Sequence, residues 1–217
     1  MLGIAKNPRR SARVAERRHS RPRRSAVSIA KMLGDEVLFF RTLATRRSKL
    51  GAVSPSSRAL ARLMVEHARP DPEGFTLELG PGTGVFTQAL LNYGIPAERI
   101  VAVEHNTGFC RLLARRFPTL SIVQGDAFDL DTTLAAFPGI RFSAALSGLP
   151  LLSFPKQLRL KCVEGVLDRM LPGKGLTQFS YGLHGPLEAM PGRLAVAKSK
   201  WVLMNLPPAR VWTYRRP

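Results

Sequence analysis

Cysteine is nearly absent from this chain: two residues in 217, Cys110 and Cys162. Two thiols cannot build a disulfide framework. Both fall in helix-like stretches, so buried free thiols in a reducing compartment are expected. Metal-ligand spacings of the CxxC or HxxxH kind are missing, so no metal is expected. Long apolar runs are missing too. The longest uncharged stretch, 79–97, contains four glycines and two prolines, which suits a loop and a helix rather than a bilayer span. No apolar segment follows the basic N-terminus, so no secretory signal is expected. Acidic residues are scarce, 15 against 33 Lys and Arg, for a formal net charge of +18. With 45% apolar and 22% charged residues the composition is still that of a globular protein, with enough chain for one full core or two small ones.

The excess charge is unevenly placed. Residues 1–60 hold 15 Lys and Arg against 3 acids, and residues 61–217 hold 18 against 12. Such a charge calls for a polyanionic partner, either nucleic acid or anionic lipid. Residues 1–25 are crowded with arginine and poor in apolar side chains. They cannot form a core and are expected to be disordered, either as a partner-binding arm or as a solubilising tail. Residues 26–50 follow with helical periodicity. Ala26, Ile29, Leu33, Val37, Phe40 and Ala44, flanked by Met32, Phe39 and Leu43, share one face. Lys31, Asp35, Arg41, Thr42 and Arg46 share the other, while Glu36 and Leu38 break the pattern. Such a helix either packs on its own domain or lies in a membrane interface.

After the turn-rich GAVSPSS (51–57), a helix is expected over 58–68. Strand and helix patterns then alternate: strands at 75–79, 100–104, 120–124, 142–147 and 176–181, helices at 85–93, 107–117 and 156–171. Two last strands, 201–206 and 210–214, are joined by Pro207-Pro208. Alternation of this kind specifies an α/β fold with a mostly parallel sheet covered by helices on both faces. The short last turn specifies a C-terminal antiparallel hairpin.

Chemistry is concentrated at the ends of the strands. Glu78-Leu79-Gly80-Pro81-Gly82-Thr83-Gly84 lies between a strand and a helix, where glycines let the backbone turn and approach a ligand. Glu104, 24 residues beyond Gly80, ends the next strand, and a carboxylate there accepts hydrogen bonds from ribose hydroxyls. The phosphate-binding GxGxxG is absent, and Glu78 beside the loop is unsuited to a pyrophosphate. An ammonium suits it better, which favours S-adenosylmethionine (SAM) over a dinucleotide.

LELGPGTG, VAVEHN and QGDAF in this order resemble the first three motifs of the class I SAM-dependent methyltransferases, whose Rossmann-like domain has a seven-stranded sheet. The resemblance implies that Glu78, Gly80, Pro81, Gly82, Thr83 and Gly84 lie under the methionine part of SAM and that Glu104 binds its ribose. It implies that His105, Asn106, Gly125, Asp126, Ala127 and Phe128 surround its adenine, and that Ser147 closes the site. A fourth motif at the end of the fourth strand reads SGLPLLSFP, where enzymes that methylate planar amines carry Asn/Asp-Pro-Pro-Tyr or Asn-Leu-Pro-Tyr. Ser147 stands for the Asn/Asp and Leu151 for the aromatic, so a flexible aliphatic amine fits better than a nucleobase.

SGLPLLSFP, QFSYGL and NLPPARVWTYRR, with GAVSPSS, resemble the bacterial phosphatidylethanolamine N-methyltransferases over residues 36–217. The rRNA adenine dimethyltransferases share the first three motifs and carry a further C-terminal helical domain, which is not expected here. The resemblance implies stepwise methylation of phosphatidylethanolamine toward phosphatidylcholine, with S-adenosyl-L-homocysteine as by-product. Methylation of RNA adenine at N6 is the alternative. The enzyme would be a monomer on the inner face of the cell membrane, contacting anionic lipid through residues 1–50 and a phospholipid substrate through Phe40, Arg47, Lys49 and Arg210, with Lys156 behind. Nucleic acid is the less favoured partner. The catalytic candidates are Tyr181 as hydrogen-bond partner or proton relay, the backbone carbonyl of Leu149, and Ser147; His184 is a rival base.

Overall fold

The computed structural model describes residues 55–181, 183–203 and 208–217. The basic segment 1–25 and the expected helix over 26–50, with Phe40, Arg47 and Lys49, lie outside the described residues.

Helix α1 (Pro55–Ala68) leads into β1 (Phe75–Leu79), α2 (Val85–Tyr93), β2 (Ile100–Glu104), α3 (Thr107–Arg116) and β3 (Ser121–Gln124). A one-turn helix α4 (Leu130–Thr133), β4 (Phe142–Ser147), α5 (Lys156–Leu167), β5 (Gly175–Ser180), β6 (Ala195–Lys198) and β7 (Arg210–Arg215) complete the described elements. The seven strands form one sheet in the order β3-β2-β1-β4-β5-β7-β6. The first five are parallel, and β7 runs antiparallel to both β5 and β6. This is the expected Rossmann-like sheet with an antiparallel C-terminal pair.

The apolar runs explain the layering. All five residues of β2, IVAVE, are buried, as a strand covered on both faces requires. On one face Leu77, Val101, Val163, Val166, Leu176 and Tyr214 pack under α5. On the other, Met64, Leu90, Ile100, Leu113, Leu146 and Val211 pack under α1, α2 and α3. Both cysteines are free, Cys162 buried and Cys110 half-buried. The direction of the strand order reverses between β2 and β4 around β1, so the loops leaving the carboxyl ends of β1, β2 and β4 flank one crevice.

Two expected boundaries are corrected. The long helix stops at Leu167 rather than 171, because the next residues are drawn beside β4: the Phe142 N–H donates to the Arg169 carbonyl and the Leu171 N–H to the Phe142 carbonyl, both at 2.9 Å. The strand expected over 201–206 is not the partner of β7. That partner is Ala195–Lys198, paired from Ala195 opposite Arg215 to Lys198 opposite Trp212. From the 201–206 stretch, Val202 makes one isolated bridge to Ala209.

Candidate cofactor and acceptor site

The glycine loop leaves β1 and enters α2. Gly80 has φ +65°, and a Cβ there would stand 2.7 Å from Leu149 Cδ2, so the position needs glycine for both conformation and space. The loop's amides are turned inward. The Gly80 N–H donates to the Val103 carbonyl, Gly84 to the Pro81 carbonyl, and Gly82 to Glu104 Oε2 at 3.1 Å. None of these three N–H groups is left for a phosphate. A pyrophosphate cradle is built from such groups, so the loop is unsuited to a dinucleotide.

Glu78 is fully buried on β1. Its Oε2 accepts from Thr87 Oγ1 at 2.7 Å, while Oε1 is buried with no partner. Burial pushes its carboxyl up to about 7, against the lowering influence of the Thr87 hydroxyl and N–H. An unpartnered buried carboxylate oxygen beside the loop fits a cationic ligand group, and SAM carries an ammonium and a sulfonium. Thr87 is a residue that sequence reasoning missed. It sits in the first turn of α2, three residues past Gly84, and this proximity was its one visible signal.

Glu104, at the end of β2, accepts from the Asn106 N–H at 2.8 Å through Oε1 as well as from Gly82 through Oε2. The carboxylate thus ties the β2 loop to the glycine loop, and its remaining lone pairs suit a diol. Asn106 is the N-cap of α3, its Oδ1 accepting from the Phe109 N–H at 3.1 Å, and His105 is exposed beside it. Replacing Asn106 with Ala should lower unfolding stability by about 1 kcal/mol in urea titrations. If the cap is its whole role, SAM affinity should move less than about threefold, under 1 kcal/mol.

The third loop carries Asp126, exposed, with its Oδ1 accepting from the Phe128 N–H at 2.8 Å. Ala127 is buried in the core. The Phe128 ring tilts against Phe154 of the fourth motif, with centroids 4.6 Å apart. The bare Cα of Gly125 makes room for Thr133, since a Cβ would meet Thr133 Cγ2 at 2.4 Å. That glycine is required by packing against Thr133.

The fourth motif departs most from expectation. Ser147 is fully buried and its Oγ accepts from the Leu149 N–H at 3.3 Å, so its hydroxyl shapes the loop. With Leu151 in place of the aromatic of Asn-Leu-Pro-Tyr, the residue in place of the Asn is Gly148, not Ser147. The Leu149 carbonyl was expected to be an open acceptor. It already receives the Leu151 N–H at 2.8 Å and Gln178 Nε2 at 2.9 Å, which fills both lone pairs. Leu151 itself is 1% exposed and belongs to the core. Gln178, paired with Ser147 across β4 and β5, was missed by sequence reasoning. Its Oε1 is buried and has no partner.

Tyr181 follows β5 and continues an aromatic series. The Phe86 and Phe179 centroids are 5.8 Å apart and those of Phe179 and Tyr181 5.4 Å, both edge-to-face. Arg210 opens β7 opposite Ser180, so it stands at the same carboxyl edge. Its guanidinium lies 4.4 Å from the Trp201 ring centroid, and its Nε is buried without a partner. Lys156 and His184 are exposed; the His184 carbonyl accepts from Ser180 Oγ.

Comparison with known proteins agrees with this geometry. The ribosomal RNA adenine dimethylase family pattern matches residues 45–151, ending inside the fourth motif. An ornithine lipid N-methyltransferase of Singulisphaera acidiphila is 29% identical over 149 residues, 67% of this chain and 78% of that protein. Ribosomal RNA small subunit methyltransferase A of a Synechococcus strain is 48% identical over 59 residues, which is 26% of this chain and 20% of that enzyme. The CcbJ methyltransferase of Streptomyces caelestis shares the fold at TM-score 0.58 and 16% identity, covering 77% of this chain and 98% of that one. An O-methyltransferase of Bacillus cereus solved with SAH shares it at TM-score 0.57 and 16% identity, covering 86% and 91%. Among the described residues no His, Cys, Asp or Glu group could hold a metal. The chain therefore has the class I methyltransferase fold with S-adenosylmethionine as its cofactor, and is a SAM-dependent methyltransferase.

Proposed function

We propose that the acceptor is the aliphatic amine of a membrane lipid, phosphatidylethanolamine and its mono- and dimethyl forms, carried toward phosphatidylcholine at the inner face of the membrane. The observation that carries this is the fourth motif. Gly148 stands where adenine methyltransferases place a polar side chain, and Leu151 stands buried where they place a stacking aromatic. At position 151 a planar base has no partner ring. The Singulisphaera relative is by its name an N-methyltransferase of ornithine lipid, which also bears an aliphatic amine.

The bound cofactor supplies an electrophilic methyl on sulfur. The chain's part is to hold the amine neutral, placed and dry. An ammonium has no lone pair, and a poorly solvated site lowers amine basicity and favours its loss of a proton. Gln178 Oε1, the unfilled acceptor on β5, is the atom we assign to the amine N–H, in place of the Leu149 carbonyl. Tyr181 stands beyond it on the same strand end as the candidate proton relay. Arg210, held over Trp201 with an unused Nε, takes an anionic group of the lipid head.

A second reading, RNA adenine methylation, is favoured by the family pattern over residues 45–151 and by the 48% identity to ribosomal RNA methyltransferase A. Methyl-labelled SAM should place label in the lipid extract of phosphatidylethanolamine vesicles and none in ribosomal RNA. Label in RNA alone would reverse the assignment. Phosphatidylethanolamine left unlabelled while ornithine lipid takes label would change the lipid and keep the class.

A further inference from the structure

Three large apolar side chains are left in water on one edge of the sheet. Leu152 is 45% exposed, Leu183 73% and Leu203 76%. Scattered leucines of this kind are ordinary. These are not scattered. Leu152 lies in the loop leaving β4, Leu183 in the segment leaving β5, and Leu203 in the loop between β6 and β7. Strand register puts all three loops at the carboxyl edge, because Ser147 pairs with Gln178, Ser180 with Arg210, and Lys198 with Trp212. It is the edge on which the cofactor crevice opens.

The charge around them is mainly of one sign, with exposed Glu188 in the segment after Leu183 as the exception. Lys198 and Lys200 are exposed on either side of the turn into this loop, with Arg210 returning from it. Residues 189–217 contain six Lys and Arg and no Asp or Glu, and residues 132–163 contain no acid either. The acids at the C-terminal end of α5 and at its cap are turned elsewhere: Glu164 binds Arg193 at 2.6 Å, and Asp168 binds Arg216 at 2.5 Å beyond the far end of β7. The acidic groups of the carboxyl edge, Glu78, Glu104 and Asp126, lie on the cofactor side. The acceptor side thus combines exposed leucines, a half-buried tryptophan and exposed cations, the composition of an interfacial contact with anionic lipid.

We infer that this acceptor-side edge is itself a membrane-docking face. Leu152, Leu183 and Leu203 enter the headgroup boundary and Lys198 and Lys200 meet lipid phosphates, so that the crevice opens onto the bilayer. This rests on the lipid reading of the acceptor, and is separate from any contact made by residues 1–50.

The test uses the full chain and vesicles of phosphatidylethanolamine and phosphatidylglycerol, with and without brominated acyl chains. The chain has two tryptophans. Trp212 is buried with its Nε1 bonded to Ser180 Oγ, so a change on docking reports Trp201. Brominated vesicles should quench wild-type fluorescence, and Trp201→Phe should abolish that quench. A Leu152→Ser/Leu183→Ser/Leu203→Ser variant should partition about thirtyfold less, from the apolar area it no longer inserts, with SAM affinity within about twofold of wild type, under 1 kcal/mol. Vesicle binding without quench, or a triple variant that partitions like wild type, would overturn the docking face. So would a wild-type chain that ignores the vesicles. Methylation of a short-chain phosphatidylethanolamine dispersed singly in solution scores the acceptor separately. A chain that docks and is quenched but labels only RNA keeps the docking face and loses the lipid reading.

Discussion

S-adenosylmethionine should bind about tenfold more weakly for each pH unit below 7, down to about pH 5, and Glu78→Gln should flatten that slope. The cause is the buried carboxyl of β1. Its folded value of about 7 lies above the ordinary 4.5, because burial penalises the charged form. The unliganded fold therefore prefers Glu78 protonated. It is fully stable in this respect below pH 4.5 and loses stability as pH rises through 7, by up to about 3 kcal/mol. A cationic ligand reverses the preference, since it partners the ionised Oε1 that has no partner in the free protein. Below pH 7 that proton must leave before the ligand gains its partner. Titration calorimetry at pH 6 in buffers of different ionisation enthalpy should register proton release for wild type and none for the Gln variant. Above pH 7 the unliganded Gln variant should be the more stable of the two in urea. An equal affinity slope in both proteins would remove Glu78 from the ligand linkage.

The sequence made the strands that carry the candidate cofactor loops legible, and the layout around the fourth motif only partly so. β1, β2 and β4 were readable to the residue because strands buried on both faces must be continuously apolar, and FTLEL, IVAVE and FSAALS are nearly so. The partner of β7 escaped for the opposite reason. AVAK is an outer strand with one buried-side neighbour and mostly exposed side chains, so it carries no apolar run. WVLMNL carries such a run, and of its described residues 201–203 Val202 makes one isolated bridge, to Ala209. Glu78 and Glu104 were visible as acids at strand ends. The filling of the Leu149 carbonyl was not, because one of its donors comes from Gln178, 29 residues away on a neighbouring strand. Long-range hydrogen bonds of that kind leave no periodicity in a sequence. Ser147 was visible by its position at a strand end, but its burial and the bond its Oγ accepts from the Leu149 N–H were not.

The second large effect is expected where the cofactor loop and the acceptor loop cross. The Gly148 N–H donates to the Leu79 carbonyl at 2.8 Å. A Cβ on Gly148 would stand 2.7 Å from the Gly80 carbonyl oxygen and 3.4 Å from Phe86 Cε2. The first of these is backbone, so no rotamer change relieves it. Gly80 cannot retreat freely, because its N–H is held by the Val103 carbonyl and Leu149 covers its other side. Gly148→Ala should therefore push the glycine loop off its position. The expected cost is about 1–3 kcal/mol in unfolding stability, with SAM affinity weaker by tenfold or more, at least about 1.4 kcal/mol. Gly139→Ala is the matched control. Gly139 has φ +74° in the loop before β4, and a Cβ there meets nothing within 4 Å. It should lose about 1 kcal/mol from backbone strain and leave SAM binding unchanged. A Gly148→Ala protein that loses stability but binds SAM as wild type does would show that the two loops touch without governing one another. Loss of affinity at Gly148 alone would tie acceptor-loop position to cofactor binding, so that a chain with its acceptor loop displaced would also release its methyl donor.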